Sequence, residues 1–526
     1  MKEIKVFQQM YRDGRMSRRE FLAAMSALGI MATAVPGFLK SANALAPTPR
    51  KGGTVRMATF LHGPDDQMDP TLFTSVTDYT RGRATYNSLT QLGDNLSLNP
   101  ELAEEWMPNS NATEFTFKIR KGVNFHDGSP LTADDVVWSM NRHMGDNSTS
   151  VVKAVLDSVS EWKKIDSHTV KAVLNTPNAD LPILLGIYQT KIVKKDTTDF
   201  KKGNGTGPFV LESFEPGVKS VHSRNKNYWR DGPNLDAVEI TAITDPVARV
   251  NALIAGDVQL IDFVDAKGIR LIEQAKGVHV NSTPSAGYGG ICILKNTAPG
   301  QNDDFVKGFQ YIQDRERIVR FVLKGHGLVG NDHPISPAYG KDHCSELPQR
   351  EYDPDKAKWH LNKSGYSSAE LYVAPVATGI EEISLFTQAN LKKIGFDLKI
   401  KKVPADGYWG AVWMKEPLNV VNWFMRPTAN AALSIQFAPG GKWNDTYWNN
   451  DRFGELLKLS LAETDPDKRS AMYCEMQTLV HNGSGMVIPY HQNVIDGVHD
   501  KIHGIPNNPL GSLGGSEWPE FAWMEA

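Results

Sequence analysis

Short apolar segments typical of β-strands dominate the first half of the chain. The largely apolar stretch 55–61 predicts a buried strand that ends in a Gly-Pro-Asp loop. In EFTFKIRKGVNFHDG (114–128), apolar residues alternate on one face before a Lys-Gly turn, which predicts a β-hairpin. Segment 168–175 is predicted as another strand, and 205–225 as two strands joined by a Pro-Gly turn. The first half is therefore predicted to be rich in β-structure.

The spacing of apolar residues becomes helical in the second half. In 304–325, apolar residues recur at helical spacing, and a glycine follows as a stop signal. Segments 352–365 and 464–483 each begin with an aspartate cap and a proline in the first turn, and each ends at a glycine. Segment 385–403 predicts a helix that leads into a strand. The whole pattern predicts an α/β fold with two lobes.

The composition is that of a large globular protein. A chain of 526 residues predicts about two to four domains. Hydrophobic residues make up 40% and charged residues 22%, which leaves enough apolar surface for sizeable cores. The net charge is −3 and no long basic run occurs, so nucleic acid is excluded as the main partner. The 12 Trp, 15 Tyr and 21 Phe supply flat apolar surfaces for a ligand cleft.

The N-terminus resembles a twin-arginine secretion signal. A pair of arginines at 18–19 precedes a weakly hydrophobic, alanine-rich run at 21–39, with cleavage expected after Ala44 or Ala46. The alternative is a membrane anchor, but a proline, a serine and glycines interrupt the run. Residues 1–46 are therefore predicted to be a signal peptide recognised by the Tat export machinery, and the mature protein is predicted to reside in the periplasm.

The cysteines do not indicate a disulfide framework. Cys292, Cys344 and Cys474 are too few and too scattered for a disulfide scaffold or a zinc cage. Cys344 and Cys474 could form a disulfide, which the sequence leaves open. The simpler interpretation is three unpaired, buried cysteines.

An acid-rich stretch, KGVNFHDGSPLTADDVVWSM (121–140), raises the question of an active site. Asp127 and the glycine after it are a turn signal, and Thr132 with Asp135 forms a short relative of the capping box. Asp134 and Asp135 fall in the first helical turn, where negative charge complements the helix dipole. Each of these acids has a structural role, so the stretch is predicted to be scaffold.

Other motifs lack the context that chemistry needs. GHGLVG (325–330) fits the dinucleotide fingerprint but follows a helix rather than a strand. His326, His333 and His343 occur close together, but their spacings fit no single helical or strand face, so no metal site is predicted. The chain contains no H-E-x-x-H, G-x-S-x-G or C-x-x-C motif. No catalytic residue and no cofactor is therefore predicted, and the chain is predicted not to be an enzyme.

The segment ELAEEWMPNSNATEFTFKIRKGVNFHDGSPLTADDVVWSMNR (101–142) resembles the signature region of family 5 extracellular solute-binding proteins, which include the dipeptide- and oligopeptide-binding components of ABC importers. Further similar stretches follow in order, among them 224–240, 250–263 and a helix with an Asp-Arg pair at 314–315. The resemblance covers nearly all of residues 50–500. It implies a two-lobe periplasmic-binding-protein fold with an additional third domain, a ligand cleft that closes by hinge motion, and delivery of the solute to an inner-membrane ABC permease.

The resemblance also implies a division of the chain. A large discontinuous domain I is expected at 47–85, 200–290 and 491–526. An extra domain II is expected at 86–199, and domain III at 291–490. The protein is expected to be a monomer.

One departure from the family changes the expected ligand. Peptide binders of the family carry a tryptophan followed three positions later by an aspartate that holds the peptide's α-ammonium group. Trp423 matches that tryptophan, but position 426 is an arginine, and the closest acid downstream is Asp445. A guanidinium binds carboxylate or phosphate rather than ammonium. Arg426 is therefore hypothesised to bind an anionic group of the ligand; the alternative is a structural ion pair or a surface position.

Further ligand contacts are expected from loops that face the cleft in this family. They are Phe60 and His62 after the first strand, Tyr288 in SAGYGG, and Trp409 in DGYWGAVW. Aromatic faces there can stack on planar, apolar or cationic parts of a ligand. The expected solutes are short peptides or peptide-like and opine-like small molecules. A receptor for a sugar, a polyamine or a metal chelate is one alternative, and a periplasmic enzyme is another.

Overall fold

The computed structural model describes residues 49–61 and 63–525. The predicted signal peptide, 1–46, and His62 lie outside the described residues. The strands, in chain order, are β1 Thr54–Thr59, β2 Thr90–Leu92, β3 Leu98–Pro100, β4 Ala103–Pro108, β5 Glu114–Ile119, β6 Val159–Asp166, β7 Thr169–Leu174, β8 Phe209–Glu215, β9 Lys219–Arg224, β10 Ala237–Ala242, β11 Leu260–Ile261, β12 Val278–Ile293, β13 Gly327–Val329, β14 Ser368–Val373, β15 Asp397–Lys402, β16 Leu418–Trp423, β17 Met486–Val487, β18 Tyr490–His499, β19 Ile502–His503 and β20 Trp523–Met524.

Helices lie between these strands. The α-helices, in chain order, are α1 Val76–Thr85, α2 Ala133–Asn141, α3 Leu181–Leu184, α4 Pro246–Ala255, α5 Ala266–Gln274, α6 Asp303–Tyr311, α7 Arg315–Arg317, α8 Pro354–Ser364, α9 Ile380–Lys393, α10 Tyr408–Ala411, α11 Ala429–Phe437, α12 Asp451–Ala462, α13 Pro466–Gly483, α14 Ser512–Gly515 and α15 Trp518–Phe521. A π-helical turn at Ile318–Val322 continues α7, and 3-10 turns lie at Pro70–Leu72, Asp94–Leu96, Lys153–Leu156, Phe200–Lys202 and Pro337–Asp342. The predicted α/β fold is confirmed.

The first lobe is built around the buried strand β1. This strand pairs in parallel with β10 and β11, and β8, β9 and β10 continue the sheet with antiparallel pairs. Apolar residues of these strands pack against the C-terminal segment, including Leu513 and Trp518, in one cluster. The strand–turn–strand predicted over 205–225 is confirmed as β8 and β9. The C-terminal segment therefore packs into the same core as the first strand.

The small domain is a separate cluster of residues 89–192 around the sheet β4-β5-β7-β6. The hairpin predicted over 114–128 is wrong, because β5 pairs with β4 and β7 rather than with the run that follows it. Helix α2 carries the expected capping box, in which the Thr132 N–H donates to Asp135 Oδ2 at 2.8 Å. Asp127 and Asp134 bind Lys194 and Lys164. The acid-rich stretch is scaffold, as predicted.

The second lobe contains the parallel strands β14, β15 and β16 with helices packed around them in two apolar clusters. Asp353 caps α8 and Asp465 caps α13, as their sequence patterns predict. The single helix predicted over 304–325 is instead two segments, because Asp314 accepts the Arg317 N–H and starts a new turn. That break lets Arg315 enter the core, where it is only 3% exposed.

Two long strands connect the lobes. Strand β12 pairs with β18 from Val278 to Gly287, and then continues into the second lobe, where it pairs with β16 and β17. The pairing shifts register between Thr283 and Gly287. A register shift at the crossing interrupts the ladder, so this is the point at which the two lobes can rotate with the least loss of backbone hydrogen bonds.

The cysteines correct one expectation. Cys344 and Cys474 form a disulfide with 4.7 Å between their Cα atoms, so the interpretation of three unpaired cysteines is wrong. The bond joins the loop after the Pro337–Asp342 turn to α13. Cys292 is free and buried. Within residues 49–61 and 63–525, none of the helices combines the length and apolar character required to cross a bilayer.

A buried acid on β18 predicts a measurable pH dependence of stability. Asp496 is fully buried, and its Oδ2 accepts the Leu513 N–H at 2.7 Å. Its Oδ1 has no hydrogen-bond partner among the described residues, and Asp262 lies close by. Burial raises the pKa of Asp496 from 3.8 to about 7. Because the folded pKa lies above the unfolded pKa, this group lowers the free energy of unfolding progressively as pH rises from about 4 to about 7.

We expect Asp496→Asn to remove this contribution. At pH 8 the variant should be more stable than the wild type by up to about 4 kcal/mol, and at pH 4 the two should be equally stable. Urea unfolding at unit steps between pH 4 and pH 8 measures the difference. Asp146→Asn at an exposed position is the control and should leave the profile unchanged. A constant difference between Asp496→Asn and wild type over this range would contradict the prediction.

Candidate functional site

Strand direction places a cleft between the two lobes. Tyr288, where β12 enters the second lobe, pairs with Trp423, the last residue of β16. The carboxyl ends of the parallel strands β14, β15 and β16 therefore point back towards the first lobe. In the first lobe, β1, β10 and β11 run towards the start of β18, which is the end nearer the second lobe. The carboxyl ends of both sets face each other across the hinge strands, which is where ligands bind in open α/β sheets.

Phe60 lies at the carboxyl end of β1 on the first-lobe side of this cleft. It is half-buried, and its N–H donates to Asp262 Oδ1 at 3.2 Å. Its ring meets Phe263 edge to face at 4.8 Å between centroids, and the Arg249 guanidinium lies 5.7 Å from the ring centroid. Burial raises the pKa of Asp262 to about 8. Phe60 is thus held at the cleft by contacts on the core side of its backbone and ring.

Trp423 lies at the carboxyl end of β16 on the second-lobe side. It is only 6% exposed, and its Nε1–H donates to Asp445 Oδ2 at 2.9 Å. Burial raises the pKa of Asp445 to about 7. The fold therefore brings an acid to this tryptophan from 22 residues further along the chain. Asp445 holds the Trp423 indole through this hydrogen bond, and because it has no exposed surface it is closed to a ligand ammonium group.

Arg426 follows Trp423 in the same loop and is half-buried. The Tyr339 hydroxyl accepts the Arg426 N–H at 3.1 Å and donates to the Arg426 carbonyl at 2.9 Å, which fixes the backbone. The guanidinium lies 5.9 Å from the Trp423 ring centroid, and its Nε has no hydrogen-bond partner in the described part of the chain. Burial lowers the pKa of Arg426, and the ionisable groups that oppose this shift are the hydroxyls of Tyr339 and Tyr79.

A row of tryptophans extends from Trp423 along the carboxyl edge of the second lobe. The ring centroids of Trp423 and Trp443 lie 6.2 Å apart, those of Trp443 and Trp413 6.5 Å, and those of Trp413 and Trp409 5.7 Å. Trp409 is 45% exposed and Trp443 is 48% exposed. Large indole rings are seldom left so exposed in a soluble protein unless the surface contacts something. Trp409 thus lies at the far end of an aromatic row that begins at Trp423, beside Arg426.

Tyr288 lies inside the second lobe rather than on the cleft surface. Its side chain is fully buried, its hydroxyl hydrogen-bonds to the Gln436 side chain, and its ring meets His491 edge to face at 6.0 Å. It is therefore placed to support the cleft from behind. Sequence reasoning missed Tyr79 and Tyr339, which approach Arg426 from α1 and from the turn at Pro337–Asp342. Long-range folding alone brings them there, and nothing in their local sequence indicates it.

Besides the cleft, a cavity of about 350 Å³ lies beside the hinge and is lined by histidines. His333 and His343 have ring centroids 6.0 Å apart, and His491 of β18 also faces the cavity. His333 is buried, and neither ring nitrogen has a hydrogen-bond partner among the described residues. Burial holds its pKa well below the ordinary value, so the imidazole is neutral. In the same part of the chain, no group of three or more His, Cys, Asp or Glu side chains is arranged to hold a metal ion.

The two lobes, the paired hinge strands and the cleft define a two-lobed solute-binding protein. The chain belongs to the bacterial extracellular solute-binding proteins, family 5, whose middle-region model matches residues 97–445. This family consists of solute-binding proteins rather than enzymes, and the resemblance seen in the sequence is confirmed.

Individual relatives have different ligands. The dipeptide-binding protein of Escherichia coli K12 is 25% identical over 500 residues, covering 85% of this chain and 91% of its own length. The structure of HbpA2 from Haemophilus parasuis has a TM-score of 0.80 at 21% identity, covering 90% of this chain and 100% of that chain. The PBP AgaA from A.tumefacien R10, in complex with agropinic acid, has a TM-score of 0.69 at 22% identity, covering 90% and 99%.

Proposed function

We propose that this chain is the periplasmic binding component of an ABC importer, exported by the twin-arginine route and delivering its ligand to an inner-membrane permease. Its ligand is a peptide-like or opine-like small molecule with an anionic group. One observation carries this ligand class. Arg426 is a half-buried guanidinium at the cleft, and the ionisable groups acting on it in the described residues are two tyrosine hydroxyls rather than a carboxylate.

Physical chemistry connects that observation to an anion. A guanidinium that is partly removed from water loses solvation, and an ion pair or a set of hydrogen bonds must compensate. A ligand carboxylate or phosphate supplies both, because it accepts two parallel N–H bonds from one arginine. A peptide ammonium group would be repelled by Arg426 and cannot reach the buried Asp445. Ligands recognised only through an α-ammonium group are therefore expected to bind poorly.

The remaining contacts come from both sides of the cleft. Trp409 and Trp443 offer half-exposed rings to a planar or apolar part of the ligand, and Phe60 lies at the carboxyl end of β1 on the first-lobe side. His62 follows Phe60 by two positions and is included in the same proposed contact loop. Contacts on both lobes stabilise the closed arrangement by the difference in ligand affinity between closed and open forms. The dipeptide-binding protein of Escherichia coli K12 and the structure of AgaA in complex with agropinic acid, both similar to this chain, support this class.

We further infer which parts of the chain move together. Segments 47–85, 200–290 and 491–526 form domain I, 86–199 forms domain II, and 291–490 forms domain III. Separate apolar clusters within the first lobe, the small domain and the second lobe support this division.

A second candidate function is suggested by the histidine-lined cavity, namely a receptor for a metal chelate. Neutral imidazoles are common ligands of transition metals. His343 donates its Nδ1–H to the Ile335 carbonyl at 2.9 Å, which leaves Nε2 free to bind. His333 has both nitrogens unpartnered among the described residues. A chelate that brings its own ligands would need only one or two imidazoles from the protein.

A thermal-stability panel on the purified mature protein tests both candidates. The panel contains acidic dipeptides, the same dipeptides with amidated carboxylates, nickel(II)–histidine, glucose and spermidine. We expect the acidic dipeptides to raise the unfolding temperature and the amidated dipeptides to leave it unchanged. A ligand present at 100 times its Kd stabilises the folded state by about 2.7 kcal/mol.

Native mass spectrometry, before and after incubation, identifies any co-purified ligand and shows whether a compound is converted. Stabilisation by nickel(II)–histidine alone would favour the second candidate. Equal stabilisation by acids and amides would contradict the role of Arg426. Conversion of a bound compound to product would overturn the assignment as a binding protein.

A further inference from the structure

The small domain contacts the second lobe at a site without any candidate ligand residue. The Ala179 N–H donates to the Leu461 carbonyl at 2.7 Å. Next to it, Asp180 Oδ1 lies 3.2 Å from Arg469 Nη1. Asp180 is only 3% exposed, and the Arg469 side chain is 15% exposed, so water screens this pair poorly. A charged contact between residues 289 positions apart is thus desolvated at a domain boundary.

The same carboxylate reaches the loop that carries Arg426. The Thr428 hydroxyl lies beside Asp180, where it acts to lower the pKa of that carboxyl, and it accepts the Ala431 N–H at 3.0 Å as the N-cap of α11. Asp180 therefore faces the positive end of a nine-residue helix as well as Arg469. Thr428 follows Arg426 by two positions, so a side chain of the small domain helps to fix the C-terminal end of the Arg426 loop.

The small domain is fixed to the first lobe by a second, larger set of buried contacts. Gln91 of β2 donates to both Glu517 and Glu520 in the C-terminal segment of the first lobe. Arg83 of α1 donates to the Gly186 carbonyl at 2.7 Å, and Arg230 donates to Gln91 Oε1 at 2.8 Å. These hydrogen bonds link β2 and Gly186 of the small domain to residues of the first lobe. The small domain should therefore move with the first lobe, and the contact of Asp180 with Arg469 then spans the two bodies that rotate about the hinge.

Electrostatics makes this contact dependent on both partners. Burial raises the pKa of Asp180, while the adjacent Arg469 acts to lower it. Asp342 and Glu463 are the other acids near Arg469. Removing Arg469 would leave a buried carboxylate without a counter-charge, and removing the charge of Asp180 would leave Arg469 without its cross-lobe partner.

We propose that Asp180 and Arg469 form a closure latch. They are positioning residues that stabilise the closed arrangement of the small domain against the second lobe, and they do so without touching the ligand. The latch populates the closed arrangement before a ligand arrives, because a contact made only in the closed form shifts the equilibrium towards that form. Through Thr428 it also orders the loop that presents Arg426. The inference stands independently of the ligand's identity.

Electron–electron distance measurements on the ligand-free mature protein test the latch. Spin labels are attached at Lys163→Cys in the small domain and at Lys458→Cys in the second lobe, two exposed positions. The native cysteines are a buried thiol and a disulfide pair. We expect a short closed distance and a longer open distance in the wild type. Asp180→Asn and Arg469→Gln should each lower the closed-to-open ratio roughly tenfold.

Variants separate a latch from a general structural role. The double variant should be no more open than either single variant, because both break the same contact. Glu475 lies on the same helix as Arg469 and pairs with Arg452 of α12, within the second lobe. Glu475→Gln removes this ion pair and should leave the distances unchanged. Arg469→Lys should restore part of the closed population. Circular dichroism and thermal unfolding verify that each variant is folded.

The latch is overturned by either of two results. One is a wild-type distribution without a closed component. The other is an unchanged distribution in folded Asp180→Asn and Arg469→Gln. Because no ligand is used, failure of the proposed ligand class would leave this outcome unaffected, and failure of the latch would leave the ligand class untouched.

Discussion

Arg426→Met should lower the affinity for an anionic ligand by about 30- to 100-fold while leaving the unliganded protein at least as stable as the wild type. Hydrogen bonds to a charged group contribute about 1.5–3 kcal/mol, and a bidentate pair falls at the upper end of that range. Methionine keeps a long apolar stem against Trp423, so the packing loss is small. The substitution therefore removes the positive charge at the cleft and keeps most of the packing.

The combination of the two results distinguishes a binding arginine from a structural one. An arginine that stabilises the fold through an ion pair costs stability when it is removed. Arg426 has no acidic partner among the described residues, so its removal takes a half-buried, uncompensated charge out of the unliganded protein. Titration calorimetry with the acidic ligand identified by the stability panel gives the affinity, and thermal unfolding gives the stability. The amidated form of that ligand should bind both proteins equally weakly.

Arg320→Met provides a matched control, since Arg320 is exposed outside the cleft beside Phe321. It should change neither quantity. Unchanged affinity in Arg426→Met would remove the anion-binding hypothesis. A loss of several kcal/mol in unfolding free energy would instead assign Arg426 to the scaffold.

Asp332→Asn should lower the unfolding free energy by about 3–5 kcal/mol, a larger effect than most single substitutions have. Asp332 is fully buried, and its Oδ2 binds Arg315 at 2.7 Å and Arg350 at 2.5 Å. Its Oδ1 accepts the Ile488 N–H at 2.9 Å. One carboxylate thus neutralises two buried guanidinium groups. The amide of asparagine keeps the shape but leaves both positive charges next to each other in the core.

The same site predicts how the free energy of unfolding changes at acid pH. Burial alone would raise the pKa of Asp332, but Arg315 and Arg350 hold it below the ordinary value. Because the folded pKa is depressed, the stabilisation is present above the unfolded pKa near 4 and is lost as pH falls through the folded pKa. Urea unfolding at pH 7 and pH 3 should show a smaller difference between variant and wild type at pH 3.

Asp303→Asn removes an exposed partner of Lys295 and is the control, with an expected loss of at most about 1 kcal/mol. Equal losses for Asp303→Asn and Asp332→Asn would contradict the argument from burial. The buried contact between Arg315 and Asp332 also explains the break in the helix predicted over 304–325. Arg315 must leave the helix surface to reach Asp332.

Much of the local structure follows from the sequence because its causes are local. Asp353 with Gly365, and Asp465 with Pro466, mark helix ends through hydrogen bonds and dihedral preferences within a few residues. The capping box at Thr132 is of the same kind. The order of motifs along the chain also identified the family and hence the two-lobed fold.

The candidate site was only partly predictable. The departure from the family pattern pointed to Trp423 and Arg426, and the structure places both at the carboxyl edge of β16. Local sequence does not indicate that Tyr288 is buried, since a residue in a glycine-rich segment is equally compatible with a loop and with a core strand. It also gave no sign that Asp445 would lie against Trp423.

The family, the helix caps and the missing acid three residues after Trp423 could be read from the amino-acid sequence, because each depends on residue identity within a short window. Tertiary structure alone decided which strand β5 pairs with, that Cys344 joins Cys474, and that Asp180 meets Arg469. Those contacts join segments far apart in the chain. Local propensity cannot specify them, because they depend on how several buried surfaces are satisfied together.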